Sequence, residues 1–449
     1  MTITNRISTL YTTLALAGFA TINTACTVLG PDYVRPPMDV PAAYKETSGL
    51  TAPQARDVSA DEHWWMLYDD SQLSELIVQV EPRNYSLQAM EARVRQAQAL
   101  TDAALAAQSP MLLAGVRGID VGLLAIWEVD LWGRIRRNIE ASGAAAQASA
   151  ADLAAATLSL QAQLAQNYFL LRVKDAEIRL LRDTTASYEQ SLQITRNQHA
   201  VGVASRGVIM QAQAQLGAAQ AQMLDSRVTR AKLEHAIAVL VGKAPADFSF
   251  TVAPIDDKVP AVPPALPSDL LERRPDIVAA ERRMAAASAQ IGVAEASAYP
   301  SVVLYGGAAI RGIVGGARAA VPVFDTGSIR AQRSKAEAAY DEVVANYRQT
   351  VLDGFREVED NLTVLQILDE AATAQAVAVK AAREAAVITY NQYRNGIVDY
   401  LSVIVAQTTA LGNERAALDM LGRRLVASVT LIKALGGGWE PTKPTATQK

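Results

Sequence analysis

The chain has a single cysteine, Cys26, so no internal disulfide can form. Its three histidines, His63, His199 and His235, lie far apart and have no acidic or thiol companions at ligand spacing, which argues against a metal site. No phosphate-binding loop, dinucleotide fingerprint or nucleophile elbow is present, so neither energy conversion nor catalysis is expected. The formal net charge is −4, which leaves no basic excess for nucleic acid. Aromatic residues make up only 6%. After the N-terminus no apolar run approaches the ~18 residues of a membrane span, so no later helix is expected to cross a bilayer.

What is present is alanine, glutamine and leucine at helical spacing over long stretches, the composition of long packed helices. The first residues read as an export signal: Arg6 supplies the positive charge, and Leu10 to Ile22 an apolar core too short to span. Thr24 and Ala25 then lead to Cys26. That pattern is a lipobox, with Cys26 the acylated first residue of the mature protein; the plainer reading is a lone thiol in a leader. Thr27 follows, rather than the Asp of inner-membrane retention, which favours the outer membrane.

The divisions follow from punctuation. Residues 1–25 are the signal peptide and 26–85 an arm with an equatorial segment. A first repeat covers 86–242. A Pro-rich linker with equatorial character covers 243–275, a second repeat 276–436 and a tail 437–449. Within the first repeat, a helix over about 86–108 stops before Pro110. A short hairpin over 111–127 turns at Gly118–Asp120. A long helix over about 139–200 breaks at Val201–Gly202, and another runs over about 206–241. Leu164, Leu171 and Ile178 recur every seven residues, the mark of a coiled-coil seam. Some 60 residues make a rod of about 90 Å. The second repeat runs in the same order: a helix over 276–298, a hairpin over about 301–321, and helices over 328–394 and 399–435 separated at Asn395–Gly396. The offset between repeats is 190 before the hairpin and 194 after it, so the second hairpin reads as four residues longer. Rods of this length need neighbours to bury their seams, and a ring of chains forming a helical tube capped by a β-ring fits.

Several blocks stand in order along the chain. Gly30 to Pro37 (GPDYVRPP) comes first, then Trp64–Trp65 with Leu73 and Leu76, then Trp127 to Arg134 (WEVDLWGR) at the exit of the first hairpin. Arg274 to Ile277, Pro322 to Asp325, Phe355 to Asp360 and Tyr393 to Gln407 follow. In these blocks, from about Cys26 to Trp439, the chain resembles the outer membrane efflux protein family (TolC/OprM/NodT type). The resemblance implies a mainly α fold: a trimeric α-barrel duct across the periplasm, with the hairpins joined into a β-barrel in the outer membrane. It implies a homotrimer with a periplasmic adaptor protein and an inner-membrane pump, RND type, as partners, a passive conduit for small molecules, and no cofactor.

Several site expectations follow. Gly202, Val203 and Gly396 sit at the two helix breaks, where adaptors would dock. Asp399 and Tyr400 adjoin the second break; the resemblance implies a constriction of symmetry-related carboxylates at Asp399, and the alternative is a helix N-cap. Arg394 would pair with Asp399 or with an adaptor. Glu128, Asp130 and Arg134 would hold the strand-to-helix junction by ion pairs, or form a solvated rim. The hairpins read as short, with about 7–8 residues per strand, spanning roughly 16–19 Å against an apolar band of about 25 Å. Tyr305 is the main candidate for an interfacial aromatic. Either the barrel is short, or the hairpins are stubs on a non-conducting helical tube that binds adaptors.

Overall fold

The computed structural model describes residues 27–47, 63–117, 120–260, 267–309, 312–320 and 327–439. Cys26 and the leader lie outside them, as do 322–325 and 440–449. The elements are α1 (Ser71–Arg83), α2 (Tyr85–Ala106), β1 (Met111–Arg117), β2 (Asp120–Val129), α3 (Arg134–Ala200) and α4 (Arg206–Leu240). The second half supplies α5 (Pro275–Ala296), β3 (Ser301–Ala309), β4 (Gly312–Ala320), α6 (Ser328–Arg394) and α7 (Tyr400–Ala434).

The duplication is metrical. Helices α2 and α5 each have 22 residues, α3 and α6 each have 67, and α4 and α7 each have 35. Only the segments between them differ. The two hairpins are nearly equal, with strands of 7 and 10 residues in one and 9 and 9 in the other. Most of the four-residue excess therefore follows β4, in 321–327, and does not lengthen the second hairpin.

One further expectation is corrected. Strand β2 runs from Asp120 to Val129, two residues past the hairpin read over 111–127, so Glu128 and Val129 belong to the strand as well as to the exit motif. Ten residues extend about 33 Å, which projects to about 23 Å at a 45° tilt. The seven residues of β1 keep the expected span of about 16 Å, and the nine each of β3 and β4 reach about 21 Å. A stretch of α6 also has the length and apolar composition of a candidate span, although the sequence there holds no continuous apolar run. Only 11% of that stretch is buried within one chain.

The chain divides into two units. The first combines Met1–Asp39, Ala89–Leu153 and Pro275–Leu352, and contains the sheet. Its four strands lie in the order β1-β2-β3-β4, all neighbours antiparallel. The N-terminal arm is held against the start of α3 and against α5. Arg137, 4% exposed, donates to the carbonyls of Leu29 and Gly30 and to Asp32. Gly30 and Gly292 approach so closely that neither has room for a side chain. The second unit combines Val40–Gln88, Ala154–Arg274 and Asp353–Lys449, and contains the two helix breaks. Here Leu164, Leu171, Ile178, Leu181 and Tyr188 of α3 are all buried, as a sevenfold seam requires.

Candidate functional site

Cross-strand partners in an antiparallel sheet project from the same face, and successive residues from opposite faces. One face collects Leu112, Ala125, Gly306 and Gly315; Ala114, Leu123, Ala308 and Ile313; Trp127, Leu304 and Ala317; and Val129, Val302 and Ala319. Among the described side chains that face has no polar group except the indole N–H of Trp127, which donates to the Gln108 carbonyl at 2.9 Å. The other face carries Glu128, Arg318, Tyr305 and Ser301 among Met111, Leu113, Leu124, Ile126, Val303 and glycines. Tyr305 therefore does not belong to a belt on the apolar face; it pairs with Gly316 and lies over it. The aromatics at the foot of the sheet are Trp127, Trp132 and Tyr299. Trp132 donates to the Pro300 carbonyl and lies 4.9 Å from Tyr299.

The strand-to-helix junction is built by charge. Glu128 receives Arg134 through both carboxylate oxygens at 2.7–2.8 Å. Asp130 accepts from the backbone amides of Ile135 and Arg136 at 3.1 and 3.0 Å, satisfying free donors at the start of α3. Arg136 returns to Asp130 at 3.1 Å. The sequence reading missed Arg136 and Arg137; three arginines within Arg134 to Arg137, beside acidic Glu128 and Asp130, were the available signal.

Both helix breaks are closed by the same turn. Gly202 has φ +80° and Gly396 φ +72°, a region that glycine enters without steric cost. Val203 N–H donates to the Gln198 carbonyl and Gly202 N–H to that of His199; Ile397 and Gly396 repeat this with Gln392 and Tyr393. These are Schellman caps. The residues beyond them, Val203 and Ile397, are 75% and 69% exposed.

Asp399 and Tyr400 separate in role. Asp399 is exposed and caps α7, accepting from the Ser402 amide at 3.0 Å and its hydroxyl at 2.6 Å. Those two bonds hold its carboxyl below the ordinary range. No ion pair between Asp399 and Arg394 occurs among the described contacts, and Arg394 is exposed. Tyr400, by contrast, is buried with Leu192, Ala212, Tyr393 and Val403. Burial first, then the neighbouring Tyr393, Tyr188 and Tyr390, pushes its phenol up to about 12. Its hydroxyl donates to Gln215 at 3.2 Å, while Tyr393 contacts Thr195 and Gln198.

A second charged group was not anticipated. Arg172, 2% exposed, lies over the rings of Tyr168 and Phe250 and donates to Gln72 and the Thr251 carbonyl. Asp175 receives both Arg172 and Arg230, and Glu234 accepts from the Phe250 amide. This network fastens the 248–251 segment to α3, α4 and the start of α1. No cluster of three or more metal-ligating side chains occurs among the described residues.

A duplicated set of helical hairpins carrying a small, two-faced antiparallel sheet, with polar side chains in capping and packing roles, defines a channel-type protein. The chain belongs to the outer membrane efflux protein family, whose profile matches residues 76–243 and 266–437. TtgC of Pseudomonas putida, a toluene efflux pump outer membrane protein, is 29% identical over 473 residues and covers 97% of both chains. SilC of Salmonella typhimurium, named a probable outer membrane lipoprotein, is 26% identical over 92% of this chain and 96% of its own. Among solved structures, the outer-membrane channel OprN superposes with a TM-score of 0.84 at 30% identity, covering 92% of this chain and all of its own. The open state of the Neisseria gonorrhoeae channel MtrE gives 0.81 at 26%, covering 92% and 99%. The chain is thus an outer-membrane efflux channel component. The relatives named here are channel and pump proteins, and none is named as an enzyme. They give no support to a non-conducting helical tube.

Proposed function

We propose that three copies close a single passive conduit from the periplasm through the outer membrane, with β1 of one copy pairing with β4 of the next. The two-faced sheet carries this reading. One face is apolar throughout its described side chains, and the charges Glu128 and Arg318 are confined to the other. That is the alternation of a strand with lipid on one side and water on the other. The order β1-β2-β3-β4 leaves two free edges, which closure with neighbours satisfies. With an odd number of antiparallel steps between them, β1 and β4 run in opposite directions, so the new pairing is also antiparallel. Exposed aliphatics on the helices, such as Leu224 and Val228 on α4 and Val377 and Val387 on α6, suit burial against neighbouring copies.

In this reading α3, α4, α6 and α7 form the wall of a periplasmic α-barrel. The breaks at Gly202–Val203 and Gly396–Ile397 dock a periplasmic adaptor, which links the duct to an RND-type inner-membrane pump that supplies the energy. Arg394 is placed to meet an adaptor carboxylate, and Asp399 lies beside the constriction while capping its helix. Cys26 is acylated. Val28 rests against Gly133 at the foot of the sheet, which supports an anchor at the nearby Cys26.

The test is single-channel recording from the acylated protein in planar bilayers. Stepwise openings are expected. A folded trimer that stays silent, and stays silent as Asp399→Ala, overturns the conduit. Docking is tested separately: Val203→Cys should cross-link to the adaptor in cells, and loss of that cross-link in Ile397→Asp is expected without loss of the trimer.

A further inference from the structure

Among the described side chains, the polar face of the sheet carries one charge that no other charge on it answers. Glu128, Val303 and Arg318 stand in one row across β2, β3 and β4, so their side chains share a face. Glu128 is neutralised by the bidentate bond from Arg134. Arg318 is exposed and has no hydrogen bond or ion pair among the described residues. Its own strand offers none, since β4 reads Gly-Ile-Val-Gly-Gly-Ala-Arg-Ala-Ala. Its nearest companions on that face are Tyr305, whose ring covers Gly316, the hydroxyl-bearing Ser301, and aliphatic or glycine positions, none of them charged. An arginine on the lipid side of such a sheet is destabilising; in the closed conduit proposed above, this face meets water instead.

We propose that Arg318 contributes one guanidinium per copy to a cationic ring on the water-filled wall of the sheet, favouring small anions such as carboxylates and phosphates over cations. The inference rests on the closed conduit proposed above. A ring of like charge in a narrow channel with low-dielectric walls concentrates counter-ions, and its field reaches about 10 Å at 0.1 M salt.

The experiment is the reversal potential of reconstituted channels across a potassium chloride gradient, with the wild type, Arg318→Gln and Arg318→Glu compared. The chloride-to-potassium permeability ratio is expected to fall in Arg318→Gln and to fall further in Arg318→Glu. Both differences should shrink near 1 M salt, where the screening length is about 3 Å. Channels that open normally with the same ratio in all three proteins at low salt overturn the ring and leave the conduit standing. Silence of all three that persists when each also carries Asp399→Ala overturns the conduit and the ring with it. A readout that needs no open tip separates a third case. Arg318→Cys should react in whole cells with a membrane-impermeant thiol reagent, while Leu304→Cys, on the apolar face, is protected. The reverse pattern places Arg318 outside the conduit and overturns the proposal.

Discussion

The side-chain amide of Asn84 donates to the carbonyl oxygen of Leu240 at 3.0 Å, closing the end of α4 against the start of α2. In the second repeat Arg274 stands where Asn84 does, and donates at 3.2 Å to Ala434, the counterpart of Leu240. The duplication has kept the contact and changed the donor. Asn84 also caps α2 by accepting from the amides of Ser86 and Leu87, whereas Arg274 adds an ion pair to Glu357.

Replacing Asn84 with alanine should therefore lower stability by about 1–3 kcal/mol, because it leaves the buried Leu87 amide and Leu240 carbonyl without partners. Arg274→Ala should cost at least as much, since it strands both the Ala434 carbonyl and Glu357. Urea unfolding at fixed protein concentration checks both, because assembly makes the midpoint concentration-dependent. A midpoint unchanged in both variants would show that water replaces these contacts.

The helical frame was legible because its signals are local. Pro110, Pro300, Gly202 and Gly396 punctuate it, and leucine seams mark what lies between. The Asn84–Arg274 equivalence was not legible, since the two residue types share nothing but the ability to donate to a carbonyl. Strand β2 exceeds the hairpin read over 111–127 because Glu128 and Val129 fall in a block that resembles an exit motif, and Asp120 in a turn signal. Whether Tyr305 faces the side of Trp127 depends on register, and register is set by pairing with a strand about 180 residues away. Asp399 beside Ser402 was readable as a cap; nothing local showed that Tyr400 would turn inward onto Tyr393.

Glu177 gives an acid-dependent prediction. Burial alone would raise its carboxyl, but the bonds from Lys174 and Arg415 outweigh burial and the net shift is downward. A depressed folded-state value stabilises the fold above the ordinary glutamate range, and that contribution is lost as pH falls through the folded value. Glu177→Gln should thus unfold at lower urea than the wild type at pH 7, and the gap should close below about pH 4.3, the unperturbed value. A gap that persists unchanged at pH 3 would assign the effect to packing.

At the breaks, Gly202→Ala and Gly396→Ala meet no neighbouring atom within 4 Å, so their whole effect is the left-handed backbone. Each should cost roughly 1–2 kcal/mol. The loss should be local: faster amide exchange at Gly202, Val203, Gly396 and Ile397, with little change at buried positions such as Leu164. Uniform acceleration along α3 would show that the turns nucleate the hairpins.

Adjacent residues of β4 test the two faces of the sheet. Ile313 pairs with Ala308 on the apolar face, and Val314 pairs with Gly307 on the face that carries Arg318. Both are well exposed in the single chain, at 88% and 64%, so neither substitution disturbs a packed core. Introducing arginine at each should separate them. Ile313→Arg places a cation against lipid at a cost of about 2–4 kcal/mol per copy, and a ring of copies multiplies that penalty. Val314→Arg places the same cation in water. Outer-membrane fractions should hold heat-modifiable trimer for Val314→Arg and little for Ile313→Arg, at equal total expression. Equal yields would mean that the sheet does not meet lipid through the face of Trp127, and the inside and outside assigned to the barrel would have to be exchanged or abandoned.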